Sequence, residues 1–146
     1  MATQRLGEKI GRLLQGGTMI ELVGDIGSGK TTLTQGIAKG MGFAGDVPSP
    51  TFTVSRVYPV RDGMRLHHFD WYRLEGQDMV THEFAEATDD PSAVTVVEWA
   101  GNGQARLPEG RLRISLEPIA DHEAKRSVTI ESLGAPTTYL IAGLAT

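Results

Sequence analysis

The segment Gly24-Asp25-Ile26-Gly27-Ser28-Gly29-Lys30-Thr31 constrains this chain more than any other, because it fits the pattern G-x-x-x-x-G-K-[ST] in full. Before it, Thr18 to Val23 form a short apolar run (TMIELV) bounded by glycine on both sides. That run is too short for a buried helix and is predicted to be a strand. After it, Leu33, Ile37, Ala38 and Met41 recur at helical spacing, and Gly40 or Gly42 supplies the stop. Strand, glycine loop and helix are the context such a motif needs. Glycines let backbone N–H groups curl around phosphate oxygens, the helix N-terminus adds partial positive charge, and the lysine reaches the β- and γ-oxygens. On this reading Ile26, Gly27, Ser28, Gly29, Lys30 and Thr31 hold nucleotide phosphates, and the Thr31 hydroxyl is offered to Mg²⁺. Thr32 reads equally well as a phosphate contact or as an ordinary first-turn residue. The alternative for the whole segment is a glycine-rich strand-to-helix turn with an incidental lysine.

A phosphate loop alone does not hydrolyse anything: a cation needs a carboxylate on a neighbouring strand, and an attacking water needs orienting. Two acidic residues fit. Glu98 ends the apolar run AVTVVE, the most strand-like piece of the sequence, which is apolar at successive positions as a central parallel strand should be. The carboxyl end of such a strand is where open α/β sheets bind ligands, so Glu98 is assigned to the Mg²⁺ side, directly or through water. Asp70 follows strand residues in HHFDWYR and is placed near the γ-phosphate, to orient water or to complete the metal shell. An N-cap or a salt bridge to Arg73 is the alternative for Asp70, and Arg73 itself reads more readily as a structural ion pair than as a charge stabiliser. His67 and His68 are adjacent, so they point to opposite faces of a strand, which is poor geometry for joint metal binding. His82 and His122 are read as surface residues, Trp71 as core, and Trp99 as core or a neighbour of the nucleotide.

The rest of the chain reads as an α/β fold. Leu6, Ile10, Leu13 and Leu14 mark a helix from roughly Thr3 to Gln15, closed by Gly16-Gly17. Pro48 and Pro50 hold Ser49 in an extended connection. TFTVSRVY and MRLHHFDW flank Val60-Arg61-Asp62-Gly63, and the Asp-Gly pair signals an antiparallel hairpin. Gln77 to Ala87, with Val80, Phe84 and Ala87 on one face, is a second-layer helix broken by Asp89-Asp90-Pro91. RLRISLEP and RSVTIES alternate with period two around a polar turn, IADHEAK, and suggest a second hairpin at the other sheet edge. The last residues, YLIAGLAT, are a weak helix or a loose tail. The expected architecture is a single domain over residues 1–146: a P-loop NTPase-like mixed sheet with flanking helices and antiparallel hairpin edges.

Composition narrows the function classes. The chain has 146 residues, 14 Lys plus Arg against 18 Asp plus Glu, a formal net charge of −4, and no cysteine. At this length a core forms without staples, and neither disulfides nor a cysteine zinc site are available. An acidic balance disfavours a chain that grips nucleic acid alone by neutralising phosphates, so any nucleic-acid role is expected to be indirect. With no signal-peptide run and no membrane-length apolar stretch, a cytoplasmic protein is expected.

In their order and separation, GDIGSGKTT, SPTFT, HHFDWYRL and VVEWA resemble the bacterial TsaE family, the small ATPase of tRNA threonylcarbamoyladenosine synthesis. The resemblance runs from about Leu6 to Trp99, and H-F-D-x-Y-R followed by V-E-W is far more distinctive than the phosphate loop. It implies a compact α/β fold, binding of ATP and Mg²⁺, slow hydrolysis, and assembly with the TsaB–TsaD pair that modifies the adenosine beside the tRNA anticodon. Carried over by position, Lys30 and the loop from Ile26 hold phosphates, Thr31 and Glu98 are the magnesium positions, and Asp70 is the essential aspartate. Ser49-Pro50-Thr51 would be a nucleotide-sensing segment, as γ-phosphate contacts order switches in other NTPases. Ser28 departs from the alanine common in the family, and Met1 to Arg5 stand where the family usually has a longer segment that helps cover the base.

Rival classes share the loop. A small-molecule kinase needs a lid that closes over its acceptor, and the region after Glu98 reads as strands and a short loop with few basic residues. A GTPase should carry Asn-Lys-x-Asp, which the sequence lacks. A nucleotide-binding scaffold without turnover is the remaining rival.

Overall fold

A computed structural model describes residues 2–24, 29–45, 55–71, 78–98, 107, 110–120, 122–134 and 137–145. The phosphate-loop residues Ile26, Gly27 and Ser28, the Ser49-Pro50-Thr51 segment, Arg73 and Trp99 lie outside the described residues, as do the side chains of Val80, His82 and His122. The elements run α1 (Ala2–Leu13), β1 (Met19–Val23), α2 (Lys30–Gly40), β2 (Ser55–Pro59), β3 (Arg65–Asp70), α3 (Asp78–Asp89), β4 (Ala93–Glu98), β5 (Arg111–Ile119), β6 (His122–Leu133) and α4 (Thr138–Leu144).

The strands form one mixed sheet in the order β2-β3-β4-β1-β5-β6. β1 pairs in parallel with β4 on one side and β5 on the other, and β3 pairs in parallel with β4. Antiparallel partners close both edges, β2 against β3 and β6 against β5. This is the mixed α/β sheet with hairpin edges expected from the sequence. Every residue of β4 is buried, as its largely apolar run Ala93 to Val97 requires of a strand covered on both faces. β5 instead alternates: Leu112, Ile114 and Leu116 are buried, while Arg111 and Arg113 on the other face flank Glu21 of β1 at 2.9 and 3.1 Å. The first hairpin turns at Asp62-Gly63, where both residues have positive φ (57° and 72°), the conformation for which Asp-Gly is suited.

One face of the sheet carries the larger core. Ile20, Leu22, Leu66, Val94, Val96, Leu112 and Ile114 pack there against Ile10 and Leu14 from the α1 segment, Leu33 and Ile37 of α2, and Leu140 of α4. The opposite face carries a smaller aromatic cluster in which Trp71 and Phe69 pack against Phe84 of α3, with ring centroids 5.0 and 5.3 Å from it. Trp71 is therefore core, as predicted.

α1 and α2 touch through glycine, a feature the hydrophobic pattern did not signal. A Cβ on Gly7 or Gly11 would stand 2.5 or 2.3 Å from a carbonyl oxygen of α2, and one on Gly36 or Gly40 2.3 or 2.2 Å from a carbonyl oxygen of α1. The Arg61 guanidinium then bridges the C-terminal ends of both helices. Nη1 donates to Gly11 O (2.8 Å) and Gly40 O (3.1 Å), and Nη2 to Leu14 O (2.9 Å) and Arg12 O (3.2 Å). Carbonyls at the negative ends of two helix dipoles thus share one cation.

Two expectations are refined at the C-terminal end. The predicted polar turn IADHEAK is shorter than expected: β6 begins at His122, which pairs with Ile119 across a register shift at Pro118/Ile119. Backbone pairing decides strand here despite polar composition, and proline is tolerated at such an irregularity. The terminal segment is a docked helix and no loose tail. Leu140 is fully buried, and the Tyr139 hydroxyl accepts from Gln15 N (2.9 Å) and bonds Thr18 Oγ1 (2.7 Å).

Two stability predictions follow from this packing. At an open helix position Gly→Ala would stabilise by about 1 kcal/mol; Gly36→Ala is expected instead to destabilise by about 2–3 kcal/mol, because overpacking forces the helices apart. A lowered urea midpoint checks the sign. Burial, and then the Arg65 charge, hold the His67 imidazole below its ordinary value of 6.5, with Glu83 opposing in part. The unfolded chain therefore takes up this proton first as pH falls, so stability present above about pH 6.5 is lost below it. The fall in urea midpoint from about pH 6.5 to 5 is expected to be shallower in His67→Gln.

Candidate functional site

The carboxyl ends of β1, β3 and β4 lie at one edge of the sheet. β1 leaves this edge towards β3 through α2, whereas β4 leaves it towards β5 on the far side of β1. Connections that depart in opposite directions open a crevice at the strand ends, which is where open α/β sheets take ligands.

The glycine loop meets this crevice at both of its described ends. Gly24 follows β1, and Gly29 precedes α2 with φ 105°, a left-handed conformation that favours glycine. The N-cap of α2 is Gly29, which has no side chain to cap the first turn. Lys30 is the first helical residue. It is only 6% exposed, and its Nζ turns back to donate to Gly24 O at 2.5 Å. The lysine therefore lies across the mouth of the loop, with its ammonium held by the backbone at the strand end. Thr31 and Thr32 follow in the first turn, both half-buried, and Thr34 Oγ1 donates to Lys30 O at 2.9 Å.

The two acidic residues stand at the ends of adjacent strands. Asp70 and Glu98 are register partners at the ends of β3 and β4, and Glu98 is in turn the partner of Leu22 on β1. Neighbouring strands are about 4.8 Å apart, so the carboxylates are first neighbours, and Glu98 sits one strand from the β1–α2 loop. Alternation places both on the face that α1 and α2 cover, since Val96 and Leu66 on the same strands lie in that core. Trp71 N donates to Glu98 O at 3.1 Å, which continues the ladder past Asp70 and steadies the strand end.

Glu98 is more enclosed than a surface ligand would be, at 2% exposure. Its Oε2 accepts from His68 Nε2 at 2.5 Å, and His68 is itself 4% exposed. The sequence reading gave His68 no role. The available signal was that His68 lies two residues before Asp70, hence on the same strand face. His67 points the other way and stacks on Phe69 with centroids 6.3 Å apart, so the two histidines do not converge, as predicted.

Among the described residues no group of three His, Cys, Asp or Glu side chains could hold a metal ion by itself. The donors near the loop are nonetheless the type a hard cation takes: a buried carboxylate at Glu98, its neighbour Asp70, and the Thr31 hydroxyl. The set fits Mg²⁺ bound together with phosphate oxygens better than a self-sufficient protein cage.

The family described as threonylcarbamoyl adenosine biosynthesis protein TsaE matches residues 1–128. A Streptomyces coelicolor protein named tRNA threonylcarbamoyladenosine biosynthesis protein TsaE is 39% identical over 136 residues, covering 90% of each chain. Its Bacillus subtilis namesake is 38% identical over 121 residues, covering 81% of this chain and 72% of its own. The crystal structure of Bacillus subtilis YdiB superimposes with a TM-score of 0.75 at 29% identity, covering 99% of this chain and 87% of that one. The chain belongs to the TsaE family, whose role is in tRNA threonylcarbamoyladenosine biosynthesis.

Proposed function

We propose that this protein is a slow, Mg²⁺-dependent ATPase whose hydrolysis cycle gates the TsaB–TsaD pair during formation of threonylcarbamoyladenosine in tRNA. The observation that carries the reading is the in-register pairing of Asp70 with Glu98 at the strand ends, one strand from a loop closed by Lys30. On binding, the Lys30 ammonium exchanges Gly24 O for the β- and γ-phosphate oxygens, and the first turn of α2 donates to the same phosphates. Ile26, Gly27 and Ser28 supply the remaining phosphate contacts in this reading. Thr31 and Glu98 supply the oxygens that hold Mg²⁺, and Mg²⁺ supplies charge neutralisation at the phosphates. Asp70 orients the attacking water, and the segment around Ser49-Pro50-Thr51 senses the γ-phosphate and passes that state to the partners. A net charge of −4 favours tRNA contact through the partners over contact through this chain, in a cytoplasmic setting.

Phosphate release from ATP, with and without reconstituted TsaB–TsaD, tests the proposal. Slow turnover alone that rises with the pair and stops when Mg²⁺ is chelated is expected. Asp70→Asn should lower turnover by about 100-fold, the lower end of what a positioned acid–base group contributes, and Lys30→Ala and Glu98→Gln should also lower it. Turnover indifferent to the pair and unchanged in Asp70→Asn would remove both the gate and the role of that aspartate. Phosphate passing only to an added hydroxyl acceptor would assign a kinase. Function retained in Asp70→Asn but lost in Lys30→Ala would assign a nucleotide-dependent scaffold.

A further inference from the structure

The nucleotide reading uses Glu98 but not the imidazole that faces it. His68 Nε2 stands 2.5 Å from Glu98 Oε2, and both side chains are almost fully buried. The two come from adjacent parallel strands but are not register partners: His68 is opposite Val96 and Asp70 is opposite Glu98, so the imidazole reaches diagonally along one face. A carboxylate only accepts hydrogen bonds, so Nε2 carries the donated hydrogen and the tautomer is set by this contact. The contact occupies Oε2 of Glu98, and among the described residues no hydrogen bond engages Oε1.

Fold stability alone does not call for this pair. The same face is otherwise filled by Leu22, Leu66 and Val96. Two apolar side chains of similar volume would pack there without the desolvation that a buried polar pair incurs. A glutamate at a strand end, by contrast, has three side-chain torsions to order before it can ligate anything. Ligating carboxylates are commonly held by a hydrogen bond of their own, and loss of that support weakens metal binding about 10–100-fold.

We propose that His68 is a positioning residue: its Nε2–H fixes Glu98 in the rotamer that presents the other carboxylate oxygen to the divalent cation accompanying the nucleotide. The inference rests on the Mg²⁺–ATP reading of the site and adds a residue to it. The test measures ATP affinity by calorimetry, with Mg²⁺ and with the cation chelated, in wild type, His68→Leu and His68→Gln, and follows folding by urea unfolding.

Wild type should bind ATP more tightly with Mg²⁺. His68→Leu should keep the Mg²⁺-free affinity within about twofold and lose about tenfold of the Mg²⁺-dependent gain. His68→Gln, whose amide can still donate to the carboxylate, should recover most of it, which a packing role alone would not produce. If His68→Leu does not fold, His68→Asn, whose amide is too short to reach, takes its place with the same expectation. The full Mg²⁺ gain retained without the imidazole, or a Gln variant as impaired as the Leu or Asn one, would overturn the role of His68 and leave the nucleotide site standing. A wild type with no Mg²⁺-dependent gain would instead overturn the reading of the site, and this inference with it.

Discussion

The absence of side chains between α1 and α2 is the constraint on which the rest of this structure depends. Gly7 and Gly11 on one helix and Gly36 and Gly40 on the other let backbone meet backbone at distances that would put a Cβ 2.2–2.5 Å from a carbonyl oxygen. Such an approach admits essentially one relative placement of the helices. α2 begins at Lys30, so that placement also decides where the glycine loop ends relative to β1 and how the lysine lies across it. Arg61 secures the other end of the helix pair by bonding carbonyls of both. A turn residue of the β2–β3 hairpin thereby ties the strand that carries His68 and Asp70 to the helix that carries Lys30 and Thr31.

Against that frame the candidate site is a set of polar groups at the end of an apolar sheet. Parallel strands buried on both faces have no solvent to serve polar side chains until the strands stop. His68, Asp70 and Glu98 cluster within the last residues of β3 and β4, on the face that otherwise carries leucine and valine. The half of the sheet formed by β5 and β6 behaves differently. Its second face is polar, with Glu21 held between Arg111 and Arg113, as antiparallel edges with one solvated face allow.

Much of this was legible in the residues. The Asp-Gly turn, the alternation of β5 and the largely apolar run of β4 are local patterns whose period or turn chemistry specifies the element. The strand and the helix on either side of the glycine-rich segment were legible from their apolar spacing, and the strand-end positions of Asp70 and Glu98 because each closes a strand-like run. Four features were not. Gly7 and Gly11 add nothing to the apolar pattern by which α1 is recognised, and Arg61 stands within the turn Val60-Arg61-Asp62-Gly63. The terminal segment YLIAGLAT carries too little helical preference of its own, so its helix exists through Leu140 burial and the Tyr139 bonds. His68 was dismissed with its neighbour as a poor metal pair. That argument about opposite faces was sound, but it said nothing of a partner on the next strand.

The sequence by itself determined what is encoded within a few residues: strand or helix, turn, and the two acidic residues at strand ends. Periodicity and backbone conformational preference act over that range, and each residue carries them wherever it stands. Only the tertiary structure decided which strands are neighbours, and so that Asp70 stands beside Glu98 and that His68 reaches the same carboxylate. It also decided that two helices approach without side chains between them. Those facts depend on register and close packing between segments tens of residues apart, and no property of either segment alone contains them.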